Sequence, residues 1–569
     1  MTTPAPSFDP YEPRPTFLQR YGSTLAPVAV FLLTVVLTVV AFPSYNAPEA
    51  AYVMLVPGIY WAYTRPSLRV YCVTLGLAQA VAWTIILGWL HHVTWGGLLG
   101  LGPFVGLWIG VWYLAAWWTM PRMLGQPTFN RLVAMVGLAA AWVLVEWTRT
   151  WFLSGFPWLP LSASQWQRPS ILQIAAYTGC WGVSFVLVSC NIGFAAYAHR
   201  LFREGVTGFN KRSQEFFLAL FFLMGCLCVH FQDAFARSHF WEPFGRVAFV
   251  QPYIPQAVKW DESKAPEIVG ILRRTTLDAA ASRPDLILWP EASTPWAVHG
   301  DASVQRFVES LSHDAKAPLL LGSIAVENAR TPQEKWYNGA FVVTPDFGLQ
   351  HDYYAKRHLV PFGEYVPLRP IFGWLSKFVP IGDDFTPGPD SSPLNVSLHK
   401  EPFVLGPLVC YEDIFPDLAR YSVRAGSNAL VVVTNNGWYG EGAAAYQHAA
   451  HAVLRAVEVR RPVLRCGNGG WSGWIDEFGM IRAVLTRDAN GVIHTDPKDA
   501  PDGTIYFRGT ATVNITRDSR WTSALTFYAA HGDWFVVVSA VIVAIALAML
   551  LVVERAGPRR RFVESETVT

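Results

Sequence analysis

Gly406-Pro-Leu-Val-Cys-Tyr-Glu-Asp413 is a hydrophobic run that stops at a thiol and two acids, and it lies in the one long polar stretch of an otherwise membrane-like chain. A short apolar run with such an end reads as a buried strand of a layered α/β fold. Residues just beyond the carboxyl ends of such strands share one rim, where reactive side chains collect. Cys410 is the candidate nucleophile there. A thiol works near neutral pH only when a base takes its proton or its thiolate is stabilised, so partners must exist elsewhere in the chain. Two earlier segments supply them. Leu286-Ile-Leu-Trp-Pro-Glu291 is a second buried-strand pattern, ending in a carboxylate, and Tyr354-Ala-Lys-Arg-His358 sets Lys356 among aromatic and basic residues before Leu359-Val-Pro-Phe-Gly-Glu364.

Outward from this stretch, the 569 residues exceed what one compact core holds, and 52% hydrophobic content is high for a soluble chain. A membrane domain is expected. A net charge of +2, with no basic stripe carrying interleaved aromatics, argues against nucleic acid. Apolar runs near 26–42, 50–63, 70–90, 97–118, 132–153, 170–196 and 215–231, and a last one near 534–553, each approach the ~20 residues that cross a bilayer. The second is short and interrupted by Pro57 and Gly58, as in a tilted or re-entrant piece.

Lys and Arg in short loops stay on the cytoplasmic side. Arg14 and Arg20, Arg65 and Arg69, Arg122 and Arg131, the group Arg200, Arg203, Lys211 and Arg212, and Arg555, Arg559, Arg560 and Arg561 all fall on one side of this eight-span arrangement. The loops at 43–49 and 91–96 carry none, and only the loop from Arg149 to Arg168 departs from the pattern. Both termini are therefore expected in the cytoplasm and residues 232–533 outside it. The expected organisation is a cytoplasmic segment 1–24, a seven-helix membrane domain 25–231, an outward domain 245–517, an eighth helix 534–553 and a basic cytoplasmic tail 554–569. The first span lacks a small-residue cleavage site and reads as an uncleaved anchor. Five of the seven cysteines lie in the spans, leaving Cys410 and Cys466, which is no disulfide framework.

From Gly245 short β-rich runs alternate with polar helical segments. Strands are expected at 246–251, 285–289, 318–322, 339–344, 403–409, 429–434, 462–466 and 472–476, and helices near 265–282, 301–315 and 443–460. Residues 365–395, with Trp374, read as a long excursion with an apolar surface that rests on lipid. If Glu291 and Cys410 share a rim, Glu291 is placed to take the thiol proton. Lys356, arriving from a loop, stabilises the thiolate and an anionic tetrahedral intermediate, with the Tyr411 amide as a second donor.

Glu291, Lys356 and Cys410, in Trp-Pro-Glu291 and Cys-Tyr-Glu412 contexts, resemble the carbon–nitrogen hydrolase, or nitrilase, superfamily. The resemblance implies an α-β-β-α sandwich with a Glu, Lys, Cys triad. The spans around it make the chain similar to the apolipoprotein N-acyltransferase family, as do Ser154-Gly-Phe-Pro-Trp-Leu159, Gln256-Ala-Val-Lys-Trp260 and Lys356-Arg-His-Leu-Val-Pro-Phe-Gly-Glu-Tyr-Val-Pro367. The similarity runs from about 25 to 553. It implies a bacterial inner-membrane enzyme without cofactor or metal, whose outward domain is periplasmic; nothing in the sequence requires more than a monomer. Cys410 would take the sn-1 acyl chain of a membrane phospholipid as a thioester. The α-amino group of a diacylglyceryl-apolipoprotein would then accept it. The same resemblance implies supporting roles for Glu364, Tyr411 and Glu412, and a place for Trp260 on an arm over the substrate entrance. Two departures touch pocket walls: Asn435-Asn-Gly-Trp-Tyr439 lacks the family's acid at Asn436, and Cys466-Gly-Asn-Gly-Gly470 replaces a Thr-Asn pattern.

Other features carry less. His448 and His451 share a helix face, but no third ligand follows at a suitable spacing, which favours packing over a metal. Glu146, costly in lipid, has Arg149 three residues on as a partner near the interface. Two rival functions stay open: a membrane-anchored nitrilase-type amidohydrolase acting on a small amide, and a transporter or scaffold, which predicts no reactive thiol.

Overall fold

The computed structural model describes residues 17–43, 45–203, 213–259, 261–367, 369–373, 384–396 and 403–556. Trp260, Trp374 and the basic residues Arg14, Lys211, Arg212, Arg559, Arg560 and Arg561 lie outside them. Among the described residues six helices are long and apolar enough to cross a membrane, and the helix Phe17–Ala41 carries a shorter apolar stretch. The chain is thus a multi-pass membrane protein, joined to an α/β sandwich.

The run at 50–63 is not a regular helix. It forms a 3₁₀ turn Pro48–Tyr52 and a seven-residue helix Val56–Ala62. Backbone groups at such a break must find partners within the protein, because lipid offers none. Asn191, on the helix Cys180–Phe202, supplies two: its Oδ1 accepts from Leu55 N at 2.7 Å and its Nδ2 donates to Ala51 O at 2.8 Å. Tyr71 donates to the Gly58 carbonyl at 3.0 Å. Gly58 has no room for a side chain, since a Cβ would lie 2.5 Å from the Tyr113 ring.

The two ends of the bundle differ. At one end Trp117 Nε1 donates to Pro66 O at 2.8 Å, Arg122 pairs with Glu554 at 2.9 Å and Arg131 pairs with Glu215 at 3.0 Å. At the other end the bundle meets the sandwich, and the helix Gln214–Phe240 runs straight into the strand Trp241–Gln251.

The sandwich has two sheets. In the first, strands are ordered Gly509–Asp518, Trp241–Gln251, Leu286–Leu288, Leu319–Glu327, Lys335–Thr344, with Gly348–Leu349 and Tyr354–Ala355 both pairing with Lys335–Thr344. In the second they are ordered Ile481–Val484, Gly473–Ile475, Val463–Gly467, Ala429–Thr434, Phe403–Val409, Leu394–Val396. Leu286, Leu288, Leu320 and Val342 of one sheet pack against Leu405, Val431, Val433 and Leu464 of the other. Helices Ala265–Ala280 and Ala302–Ala315 cover the outer face of the first sheet. This is the expected α-β-β-α architecture. The strand Gly509–Asp518 is absent from the expected set although Ala511, Val513 and Ile515 alternate with Thr510, Thr512, Asn514 and Thr516, the period of a half-buried strand; it pairs antiparallel along Trp241–Gln251 and turns that apolar face to the core.

The outer face of the second sheet carries Ala443–Val459, which packs on the membrane bundle as well. Nearly every residue of this helix is buried, so its polar side chains must be satisfied inside the protein. Gln447 uses both ends of its amide. Its Oε1 accepts from the indoles of Trp89 and Trp158, each at 2.9 Å, and its Nε2 donates to Pro43 O at 3.0 Å and Ile86 O at 2.9 Å. Farther along, Glu458 accepts from Cys180 N at 2.8 Å while paired with Arg455 at 2.8 Å.

Replacing Gln447 by leucine leaves two indole N–H groups and two carbonyls unpaired at about the same side-chain volume. Each such group costs about 1–3 kcal/mol. Gln447→Leu is therefore expected to unfold several degrees below the wild-type protein in detergent thermal melts. Melting at the wild-type temperature would show that these bonds do not hold the two parts together.

Candidate active site

Cys410 stands at the end of Phe403–Val409, where the chain turns into the 3₁₀ segment Cys410–Ile414. Its φ is 53°, a left-handed conformation that a cysteine adopts at a cost and that surrounding bonds must hold. Glu412 holds the turn. Buried completely, it accepts from Val409 N at 2.7 Å, Arg357 N at 2.7 Å, His358 N at 3.1 Å and the Tyr354 hydroxyl at 3.0 Å. It therefore ties the Cys410 turn to the segment bearing Lys356. Burial pushes its carboxyl up, and these bonds work against the rise.

Lys356 follows the two-residue strand Tyr354–Ala355, and it is 1% exposed. Its Nζ lies 2.8 Å from Glu364 Oε2, 2.9 Å from Glu364 Oε1 and 3.7 Å from Glu291 Oε1. Burial disfavours the ammonium, but Glu364 and Glu291 outweigh it and hold its pKa above the ordinary lysine value. Glu364 also accepts from Val360 N at 2.8 Å. Glu291 lies three residues past Leu286–Leu288, at the same rim as Cys410. Its Oε2 accepts from Asn435 N at 3.1 Å. Gly322 permits this placement, because a Cβ there would lie 2.5 Å from the Glu291 Cα.

The fold thus brings Glu291, Lys356 and Glu364 into one bonded cluster, with Cys410 within reach of its charges. Burial first, then the Glu291 charge, pushes the thiol up to about 12, and Lys356 opposes the shift. Thr434, at the end of the neighbouring strand, donates to Cys410 Sγ at 3.4 Å. Tyr411 turns away from the cluster: its hydroxyl donates to Gly155 O at 2.9 Å, in the loop after the helix Thr128–Thr148.

Several residues that sequence reading passed over complete the site. Asn338 Nδ2 donates to Glu291 Oε1 and Glu364 Oε1, both at 2.8 Å, and so separates two like charges. Its only sequence signal is a lone amide inside the strand Lys335–Thr344. Lys259 Nζ donates to Glu291 O at 3.0 Å, and burial pushes this amine down to about 8. Tyr439 packs edge-on against Trp89 at 4.6 Å, and burial together with the nearby Cys410 and Glu291 pushes its hydroxyl well above the ordinary tyrosine value.

The histidines lie directly behind the thiol. His448 Nε2 hydrogen-bonds Cys410 O at 3.1 Å and lies 2.7 Å from Asp413 Oδ1, while Asp413 also pairs with buried Arg465. Burial works against the Asp413 charge, but His448 and Arg465 hold its carboxyl down at about 2. His451 accepts from Leu159 N at 3.1 Å. Asn436 sits 3.3 Å from His448 Nδ1 and 3.5 Å from Thr434 Oγ1, so this departure from the family pattern lies beneath the thiol and not in an outer wall. Glu146 and Arg149 bind the intervening loop: Glu146 accepts from Leu161 N at 2.6 Å, and Arg149 donates to the carbonyls of Phe156 and Trp158. Cys466 is buried in the core between the sheets, its sulfur facing Val250 O and Leu288 O.

Two family models match the chain: the apolipoprotein N-acyltransferase N-terminal domain over residues 17–193 and carbon-nitrogen hydrolase over residues 246–498. An apolipoprotein N-acyltransferase of Geobacter metallireducens is 32% identical over 487 residues, covering 84% of this chain and 90% of its own. One from Brucella melitensis is 31% identical over 411 residues, covering 71% of this chain and 73% of its own. Among solved structures, an amidase from Nesterenkonia sp. aligns at 17% identity with 49% of this chain and 92% of its own, with a TM-score of 0.33.

The charge balance at the thiol predicts a sign. Removing the Glu291 charge while Lys356 remains lowers the Cys410 pKa, so Glu291→Gln is expected to shift the pH midpoint of iodoacetamide alkylation of Cys410 below the wild-type midpoint. An unchanged or higher midpoint would mean that Glu291 does not act on the thiol.

Proposed function

Because the chain belongs to the apolipoprotein N-acyltransferase family, we propose that it moves the sn-1 acyl chain of a membrane phospholipid onto the N-terminal amine of a diacylglyceryl-apolipoprotein. The observation that carries this reading is the buried Glu291–Lys356–Glu364 cluster beside a thiol at the rim of a sandwich joined to a membrane bundle. The enzyme class follows from the family; the roles of the residues and the identity of the substrates are our reading.

In the first half-reaction Glu291 takes the thiol proton as Sγ attacks the sn-1 ester carbonyl. The carbonyl oxygen becomes an oxyanion, and Lys356 stabilises it in a site that excludes water. Collapse breaks the carbon–oxygen bond, the glycerol oxygen takes the proton from Glu291, and a lysophospholipid leaves a thioester on Cys410. In the second half-reaction the lipoprotein amine attacks the thioester and gives a proton to Glu291. Collapse releases an amide and the Cys410 thiolate, which regains its proton. Glu364 fixes the Lys356 ammonium between the two carboxylates, and Glu412 fixes the turn that presents the sulfur.

Both substrates are anchored in lipid, which suits a sandwich fixed to one end of the bundle. The clustering of Arg122, Arg131 and Arg555 at the other end supports a cytoplasmic placement of that end and a periplasmic catalytic domain over 245–517. On this reading residues 25–231 cross the membrane seven times, the 50–63 run doing so as a broken segment, and 534–553 cross an eighth time. The first and last segments, 1–24 and 554–569, are then cytoplasmic. The monomer contains every group the reaction uses.

Intact-mass measurement of protein incubated with a defined phospholipid is expected to show a fatty-acyl adduct on Cys410, absent in Cys410→Ala. Glu291→Ala, Lys356→Ala and Cys410→Ala are each expected to reduce amide formation on a diacylated lipopeptide at least about 10³-fold. Substantial transfer by Cys410→Ala would sink the mechanism. Release of free fatty acid with no amide would point to a hydrolase instead.

A further inference from the structure

A cavity of about 430 Å³, within the usual range for small-molecule sites, opens beside the cluster, with Ser154, Arg357, His358, Tyr365 and Asp384 among its lining residues. Each of three chain segments forming it also reaches the candidate active site. Arg357 and His358 follow Lys356 directly, and both give their amides to Glu412. Tyr365 follows Glu364, the bonded partner of Lys356. Ser154 precedes Gly155, whose carbonyl takes the Tyr411 hydroxyl. A ligand held in this cavity therefore sits next to the group that would attack it.

The charge balance of the walls is uneven. Asp384 is taken by Arg369, at 2.8 and 2.9 Å. Burial pushes the His358 pKa below its ordinary value, and its Nε2 donates to Ser154 O at 2.8 Å. Arg357 has no carboxylate partner among the described residues. Its guanidinium lies over the Tyr421 ring at 5.5 Å, and its Nη1 is buried without a hydrogen-bond partner. Arg357 is a lining residue of the cavity, so an anion there would meet a half-buried cation with no counterion of its own among the described residues. The hydroxyls of Ser154 and Tyr365, 3.1 Å apart, add donors, and Leu359, Phe385 and Pro387 supply an apolar edge. One forked cation, two hydroxyls and an apolar rim suit an amphiphile whose anion is a phosphate diester.

We propose that this cavity receives the phosphodiester of the acyl-donor lipid, with Arg357 as its principal ligand, so that the glycerol carbons place the sn-1 ester at Cys410. This rests on the acyl-transfer reading above and adds to it the residue that selects the donor. The site distinguishes a phospholipid from a phosphate-free glyceride and acts only in the first half-reaction.

The test compares wild type, R357Q and R357K in mixed micelles, measuring Cys410 acylation by intact mass against donor concentration. Dioleoylphosphatidylethanolamine is one donor and dioleoylglycerol the phosphate-free one. Wild type is expected to be half-acylated at about ten-fold lower phospholipid than glyceride, the scale of one charge-assisted hydrogen bond. R357Q should lose that preference and R357K keep part of it, while isolated acyl-enzyme of each variant passes its chain to a lipopeptide at the wild-type rate. An R357Q variant that retains the full preference overturns the proposal. Should R357Q also lose the second half-reaction, R357K decides, since it keeps the charge: loss of preference there, with normal transfer to the lipopeptide, overturns the proposal as well. Millimolar inorganic phosphate that blocks wild type but leaves an R357Q preference intact would assign the cavity to the free anion. Wild type with no Cys410 adduct from either donor would instead overturn the acyl-transfer reading itself, a failure recognisable without any variant.

Discussion

The helix Ala443–Val459 is packed on one side by the second sheet of the sandwich and on the other by a membrane bundle, and the rest of the molecule depends on satisfying its buried polar groups. An unpaired amide, imidazole or carboxylate here would cost more than its packing returns. Gln447 therefore gathers the ends of several membrane segments at once, while Glu458 takes the first amide of the helix Cys180–Phe202. One turn on from Gln447, His451 takes the amide of Leu159, and His448, from the same face, reaches the carbonyl of Cys410. The same element thus fixes the sandwich on the bundle and supports the turn carrying Cys410.

The site is an arrangement of opposed charges in a space nearly closed to water. Two carboxylates flank one ammonium, and a single amide, Asn338, bonds both carboxylates from between the sheets. Lys356 is consequently a fixed cation, and Cys410 a neutral thiol in the resting protein. A resting thiolate would be exposed to oxidation, whereas a thiol that yields its proton only to a placed base reacts when a substrate is aligned. The membrane bundle reaches this region through Trp89, which packs on Tyr439 at 4.6 Å and gives its indole N–H to Gln447.

Much of this was legible in the chain. The strands Phe403–Val409 and Ala429–Thr434 fall where their apolar runs end, because a strand buried on both faces needs an unbroken apolar sequence. The spans show by length and hydropathy alone. The broken piece at Pro48–Ala62 is marked by Pro57 and Gly58, but nothing local says that Asn191, more than a hundred residues on, satisfies it. Gly509–Asp518 carries a strand's alternation in Ala511, Val513 and Ile515, but which strand it joins, more than 250 residues earlier in the chain, is set by hydrogen bonds to Trp241–Gln251. Glu146 and Arg149 look like a helical i, i+3 pair, yet each binds the loop beyond the helix end, where unpaired backbone groups are the stronger claim.

What the sequence determined by itself was composition-driven: that the chain crosses a membrane, that a layered α/β unit follows, and that Glu291, Lys356 and Cys410 stand at segment ends where such a unit presents side chains. Those features depend on residues near one another in the chain. Only the tertiary structure decided which groups share a bond: that Asn338 joins Glu291 to Glu364, that Glu412 clamps the Cys410 turn to the Lys356 segment, and that Arg357 Nη1 beside them is left without a hydrogen-bond partner among the described residues. Hydrogen bonds and charges act over a few ångströms of space, and in a two-sheet sandwich those few ångströms connect residues that are dozens apart in sequence.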